Sequence, residues 1–405
     1  MREGWVRRQL GEVCTLRNGR AYKKPELLDK GKYRVLRVGN FFTSNHWYYS
    51  DLELEDTKYC DLGDLLYAWS ASFGPRIWEG EKVIYHYHIW RVDFDAKKIE
   101  KKFLYYWFMW DAESIKKDQG AGTTMVHVSM KSMNARLIDI PPLDEQKRIV
   151  AILDEAFAGI DAAIANTEKN LANARELFES YLSSVFTRRE DEWEVKKLGE
   201  IAEFKNGLNF NKHSDGQTLP VIGVGDFQKN QYVPIKNLEL ATIDGTLDPT
   251  YKVKKDDILT VRSNGSKDLI GRCMLVPEVK EQTSFSGFVI RIRFDTTRIV
   301  PKFLLWFMKS NATVKQLTRE GGGANINNIN QKKLSALLVT YPSSSGEQLE
   351  IAQKLDELLL ELERLESIYQ QKLNSLIELK QSLLQKAFSG ELTAESDKFM
   401  EEAVA

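Results

Sequence analysis

The chain is predicted to be mixed α/β: two similar α/β domains joined by two long antiparallel coiled-coil helices, with approximate two-fold symmetry. Three observations predict this. The sequence repeats itself, it contains two equally long heptad stretches, and its charge divides by segment. The organisation read from it is a first domain over 1–144, a helix over 145–186, a second domain over 187–346, a helix over 347–388 and an acidic tail over 389–405.

A long-period repeat changes what every other feature of a chain means. Trp5, Leu10, Gly11 and Glu12 recur as Trp193, Leu198, Gly199 and Glu200, and Asn18-Gly19 recurs as Asn206-Gly207. Val38, Gly39 and Phe41 then match Val224, Gly225 and Phe227, while Arg91, Phe94 and Asp95 match Arg291, Phe294 and Asp295. Phe103-Leu104 matches Phe303-Leu304, Glu145-Gln146 matches Glu347-Gln348, and Leu153-Asp154-Glu155 matches Leu355-Asp356-Glu357. The order is kept and the spacing widens along the chain, as expected for a tandem duplication with insertions in the middle of the second copy.

Residues 145–186 contain no proline and one glycine, Gly159, and residues 347–388 contain neither. A helix of such length extends about 60 Å and needs a partner along one side. In the first stretch Ile149, Leu153, Ala156 and Ile160 step by four, three and four. After one extra four-residue step, Ile164, Thr167, Leu171, Ala174, Phe178, Tyr181 and Val185 continue the alternation. The second stretch runs Ile351, Leu355, Leu358, Leu362, Leu365 and Tyr369, then takes its own extra step to Leu373 before Leu376. Two heptad seams with matching stutters are expected to pack on each other. Pro141-Pro142 precedes the first helix, and Pro342 with Gly346 punctuates the start of the second.

The formal net charge is −1. Residues 1–144 nevertheless carry 23 basic against 20 acidic side chains and residues 187–346 carry 24 against 18, whereas both helices and the tail are net acidic. Positive ends on an acidic rod suit a molecule that touches phosphates with its domains and protein with its helices.

Several function classes are excluded. No apolar run is long enough for a membrane span and no signal sequence opens the chain, so a cytoplasmic protein with no membrane partner is expected. Cys14, Cys60 and Cys273 are too few and too scattered for a disulfide framework or a zinc site, and read as reduced packing residues. His86 and His88 lie on one strand face with no carboxylate pattern to complete a metal site, and read as cross-strand packing. There is no Asn-Pro-Pro-Tyr or Asp-Pro-Pro-Tyr motif for holding a flipped adenine and no phosphate-binding loop. Gly223 and Gly225 lack the third glycine of a dinucleotide loop, and Glu-x-Lys triplets at 145–147 and 278–280 are expected by chance in so charged a chain. No catalytic residue, metal ligand or bound cofactor is therefore assigned. Trp107, Phe108 and Met109, with Trp306, Phe307 and Met308, occupy matching places in an apolar helical stretch and read as core rather than base-stacking platforms.

Domain, heptad helix, domain, heptad helix, with the junction IPPLDEQKRI at 140–149 leading into Leu153-Asp154-Glu155, resembles the specificity subunits of type I restriction–modification systems. The resemblance covers residues 4–390; the second junction, Tyr341-Pro342 followed by three serines, departs from the double-proline pattern. It implies a non-catalytic DNA reader for host defence, in which two target-recognition domains each read one half of an asymmetric bipartite site. The helices would set the spacer and dock two methyltransferase subunits. Motor-nuclease subunits would complete the complex. S-adenosylmethionine, ATP and Mg would be held by those partner subunits, with double-stranded DNA as the other partner.

On that reading, loops where basic, amide, hydroxyl and aromatic side chains gather near glycine are the candidate DNA contacts. In the first copy they are Arg20, Tyr22, Lys23 and Lys24, then Ser70 and Arg76, then Thr123 and Thr124. The second copy has Lys205, Asn209 and Lys212, then Arg262, Ser263, Asn264 and Lys267, then Asn325 and Asn328. The rival expectation from another class is an adaptor with two protein-binding domains on a coiled coil.

Overall fold

A computed structural model describes residues 3–70, 74–118, 127–187, 193–211, 213–228, 230–318 and 328–394, except for the side chains of 116–118 and 267. The chain divides into two units. The first combines residues up to Thr167 with those from Gln371 onward, and the second runs from Glu168 to Gln370. Each unit thus contains one repeat, the first half of the long helix that follows it and the second half of the other long helix.

In the first unit the strand Val6–Gln9 pairs antiparallel with Leu137–Ile140, joining the start of the domain to the segment just before the long helix. A four-stranded antiparallel sheet has the order Cys14–Asn18, Ile89–Phe94, Leu65–Ala68, Gly74–Ile77. A second sheet has the order Tyr48–Ser50, Tyr33–Leu36, Val83–Tyr85, Tyr59–Cys60, with its central pair parallel. The second unit repeats the plan. Trp193–Lys197 pairs with Leu338–Pro342, a four-stranded sheet has the order Ala202–Asn206, Val289–Phe294, Ile258–Val261, Cys273–Leu275, and a three-stranded sheet carries the parallel pair Thr218–Ile222 and Ser284–Phe285.

The repeated Leu-Gly pair now has a reason. Leu10 and Leu198 are fully buried, and their amides donate to Arg136 O and Leu337 O, pinning the domain's first strand to its last. Helices Lys101–Asp118 and Pro301–Lys309 cover the four-stranded sheets, with Trp107, Phe108, Trp306, Phe307 and Met308 buried as core, as expected, and Met109 half-buried against it. All three cysteines are buried free thiols, and burial pushes Cys14 up to about 12 and Cys273 up to about 11.

The long helices are Leu143–Thr187 and Ser345–Ser389, 45 residues each. Each is locked to its domain by two equivalent sets of contacts. Gln146, fully buried, donates to Lys98 O and Pro141 O and accepts from Glu100 N; Gln348 does the same with Arg298 O, Pro342 O and Val300 N. Farther along each helix, Asp154 receives Lys102 and the Tyr106 hydroxyl, and Asp356 receives Lys302 and the Trp306 indole N–H. The other helix closes each core: Phe388 meets Phe103 at 5.4 Å between ring centroids in the first unit, and Phe186 meets Phe303 at 5.3 Å in the second.

Within each unit the two helices run antiparallel. Asp161 pairs with Lys380 in the first unit, and Arg175 with Glu366 at 2.6 Å in the second. Burial is deepest at the helix ends, and seam residues such as Leu171, Leu358 and Leu362 are half-buried, as expected for a two-helix ribbon with water on both sides. Beyond Ser389 the chain stays against the first unit, where Thr393 is fully buried and bonds Glu145 and Leu392 packs on the core.

Candidate nucleic-acid interface

In both units, one end of the parallel strand pair meets one end of the four-stranded sheet, and a hydrogen-bonded framework is built there twice from backbone alone. Gly19 N donates to Ile89 O, Arg20 N to Tyr85 O and Tyr87 N to Arg20 O; Gly207, Leu208 and Gly287 repeat this with Val289 O, Phe285 O and Leu208 O. His86 N donates to Leu36 O, and Ser286 N to Ile222 O. Trp69 N reaches His88 O and Val128 N reaches Trp69 O; Arg262 N reaches Phe288 O and Ile329 N reaches Arg262 O. Gly19 and Gly207 must be glycine here, because an added Cβ would stand 2.3 Å from Tyr85 O in one and 2.2 Å from Ser286 O in the other.

The same backbone hydrogen-bond pattern carries different side chains. Around the framework of the first unit stand Tyr22, Trp69, His86, Tyr87, His88 and His127. Their rings touch: His86 and His88 lie 4.8 Å apart between centroids, Tyr87 and His88 3.9 Å, Trp69 and His88 5.0 Å. The Trp69 indole N–H donates to Tyr87 O. Burial pushes His86 down to about 4, helped by neighbouring His88 and Arg37, and His88 is lowered for the same leading reason. In the second unit the equivalent loops open a cleft of about 580 Å³ lined by Asn209, Phe210, Ser263, Asn264, Ser286 and Phe288 among others, and among the described residues no Lys, Arg, Asp or Glu is in that lining. Phe288 is 61% exposed.

The expected contact residues fall around these two frameworks to differing degrees. Arg20 sits on the framework, but its guanidinium is engaged by Glu26 at 2.7 Å and 3.0 Å. Tyr22 stacks on His86, and Lys23 and Lys24 are exposed at the next turn. Ser70 is buried and bridges His127, and Arg76 donates to Phe41 O from the sheet edge. In the second copy Asn209, Ser263 and Asn264 converge on the cleft, the Asn264 Oδ1 accepting from Ser266 N. Lys205 lies 4.3 Å from the Tyr251 ring centroid, outside the cleft. Arg262 Nε and Asn328 Oδ1 are buried with no hydrogen-bond partner among the described residues. Thr123, Thr124, Lys212, Asn325 and the Lys267 side chain lie outside the described residues.

The turn 86–88 and its counterpart 286–288 are missing from the contact set that residue type selects. Extending the match at Arg91 and Arg291 five residues backward aligns the two turns.

Comparison with known proteins decides the family. The chain matches the family described as "Type I restriction modification DNA specificity domain" twice, over residues 2–172 and 190–374. It belongs to that family. Among its relatives, the type I restriction enzyme StySPI specificity subunit of Salmonella potsdam is 29% identical over 290 residues. That match covers 68% of this chain and 62% of the relative, so it leaves more than a third of the relative unmatched. The EcoBI specificity subunit of Escherichia coli is 25% identical over 420 residues, covering 97% of this chain and 87% of the relative. Among solved structures, a chain described as "Structural basis underlying complex assembly and conformational transition of the type I R-M system" superposes with a TM-score of 0.76 at 18% identity, covering 97% of this chain and 99% of its own. The HsdS subunit from Thermoanaerobacter tengcongensis gives 0.53 at 16% identity, covering 97% and 98%. For the specificity subunit, each match to the family thus contains one complete copy of the framework.

One consequence of the imidazole cluster is measurable in the subunit itself. Because His86 is held below the ordinary histidine value of about 6.5, the unfolded chain binds a proton between about pH 6.5 and 4 that the folded unit does not, so stability is lost as pH falls through that window. In thermal melts compared at about pH 7.5 and 5, His86→Phe will show a smaller fall in melting temperature than the parent.

Proposed function

We propose that this specificity subunit reads a bipartite, asymmetric site in double-stranded DNA, one half with each unit, and contributes no chemistry of its own. The observation that carries this is the duplicated framework. One backbone solution presented twice with unrelated side chains is what reading two different half-sites requires. The excess of basic over acidic residues in both repeats, 23 to 20 and 24 to 18, supports contact with phosphates. On this reading the paired helices set the spacer, and two readers on one rigid element reinforce each other only on half-sites at the matching separation.

The helices would also dock two methyltransferase subunits. Apolar side chains left in solvent on the ribbon of the second unit support this. Leu177 is 72% exposed, and Tyr181 and Leu365 are also exposed beside it. S-adenosylmethionine would be bound by those partners, and ATP and Mg by motor-nuclease subunits of the full complex. No described helix is long and apolar enough to cross a membrane, and we place the subunit in the cytoplasm.

A domain exchange tests the division of labour. With residues 187–346 replaced by the equivalent part of another family member and the methyltransferase subunit supplied, the methylated motif should change in one half only. A change in both halves, or in neither, overturns the reading.

A further inference from the structure

The two frameworks differ most tellingly where two loops cross. Leu208 and Ser286 form a bridge in the second unit, as Arg20 and His86 do in the first. The next residue on each side is Asn209 against Gly287, and Ala21 against Tyr87. Bulk has changed sides: the second unit lays an amide from the first loop across a bare turn, while the first unit has Ala21 on that loop and, on the turn, Tyr87, whose ring lies against Trp69, His86 and His88.

The fit is close. A Cβ added at Gly287 would stand 2.0 Å from Asn209 Oδ1, so the amide lies across the turn in the place where a side chain on residue 287 would begin. Asn209 lines the cleft beside Ser263 and Phe288, where the described lining carries no charge, and the buried Ser286 hydroxyl there finds no partner among the described residues. Phosphates are gripped mainly by cations, with hydroxyls, amides and backbone N–H groups in support, whereas an adenine edge is read by a group that offers donor and acceptor together. A cleft so lined, with an amide laid across its turn, has the second character. An amide at this place suits adenine, and the exposed Phe288 ring beside it suits a thymine methyl.

We propose that the larger residue of the pair next to this bridge, Asn209 in the second unit and Tyr87 in the first, determines one base pair of its half-site, with the residue opposite it, Gly287 or Ala21, kept small. In the second half-site that base pair is A·T. The inference rests on the half-site reading above and goes further in assigning the residue and the base.

The test uses the full chain with its methyltransferase subunit and maps methylated adenines genome-wide. Asn209→Ala should relax one A·T position of one half-site, lowering discrimination there about tenfold or more, with the other half-site and the spacer unchanged. Gly287→Ala, which displaces the amide, should relax the same position. The double variant Asn209→Ala with Gly287→Tyr should prefer a different base there. Should the double variant fail to fold, the two single variants decide. An unchanged motif in both single variants, relaxation at a G·C position, or a change in the half-site read by the first unit overturns the proposal. Failure of the broader reading looks different, because the parent chain itself would then direct no bipartite motif.

Discussion

Replacing Gln348 with leucine is expected to destabilise the second unit by about 2–4 kcal/mol, more than any surface change on the same helix. The side chain is fully buried and serves three backbone groups: it donates to Pro342 O at 2.8 Å and Arg298 O at 3.0 Å, and accepts from Val300 N at 2.8 Å. Leucine fills similar volume but leaves all three without their partner, and each unmet buried group costs about 1–3 kcal/mol, partly recovered where water can enter. Gln146→Leu should do the same to the first unit, because Glu100 N, Lys98 O and Pro141 O depend on it in the same way. Gln353→Leu, on an exposed face of the same helix, should stay within about 0.5 kcal/mol. Denaturant unfolding followed by calorimetry checks all three. Equal effects for Gln348 and Gln353 would remove the junction from the account of how domain and helix are fixed.

Inserting four helical residues beside Ala172 is expected to change function without changing what is read. The insertion lengthens the helix by about 6 Å and turns everything beyond it by roughly 40°. It also throws the inserted helix out of register with its neighbour, where Arg175 meets Glu366 at 2.6 Å. Methylation should move to sites with an altered spacer or disappear, and both half-site sequences should remain those of the parent. A changed half-site sequence would contradict the assignment of reading to the domains and spacing to the helices.

The helices were legible because heptad spacing is a local pattern, and most of the spaced residues are buried or half-buried, though Tyr181 and Leu365, expected in the seams, stand exposed. The helices begin two residues earlier than the heptads mark, at Leu143 and Ser345, because residues in a first turn need not join the seam. The duplication was legible from anchors that are buried in both copies, such as Leu10 and Leu198. The second sheet was not, because its strands are two to five residues long and its parallel pair joins segments 49 residues apart in the first copy and 63 in the second, which leaves no local periodicity to read.

The repeat also hid differences that only packing reveals. Asn18 Oδ1 accepts the Trp90 indole N–H, but the second copy has Ile290 there, and Asn206 Oδ1 has no partner among the described residues. Arg91 is held by Asp93, while the second copy has Arg293 at that place, which turns to Asp257. As to the candidate site, residue type selected Asn209 in one loop and Ser263 and Asn264 in another, and the structure brings the three to one cleft. It also selected Arg20, whose charge Glu26 already engages, and read His86 and His88 as packing on one strand face; their rings do pack, but in a turn whose place on the framework shows only when the second copy is laid beside it.

The central claim is that one duplicated backbone framework presents two different reading surfaces and so directs methylation to a split sequence. Single-molecule mapping of methylated adenines, in cells carrying the methyltransferase subunit with and without this chain, tests it most directly. The account predicts one asymmetric motif of two unlike halves at a fixed separation, present only when the chain is present. Methylation that is independent of the chain, or a motif with a single contiguous half, would contradict it.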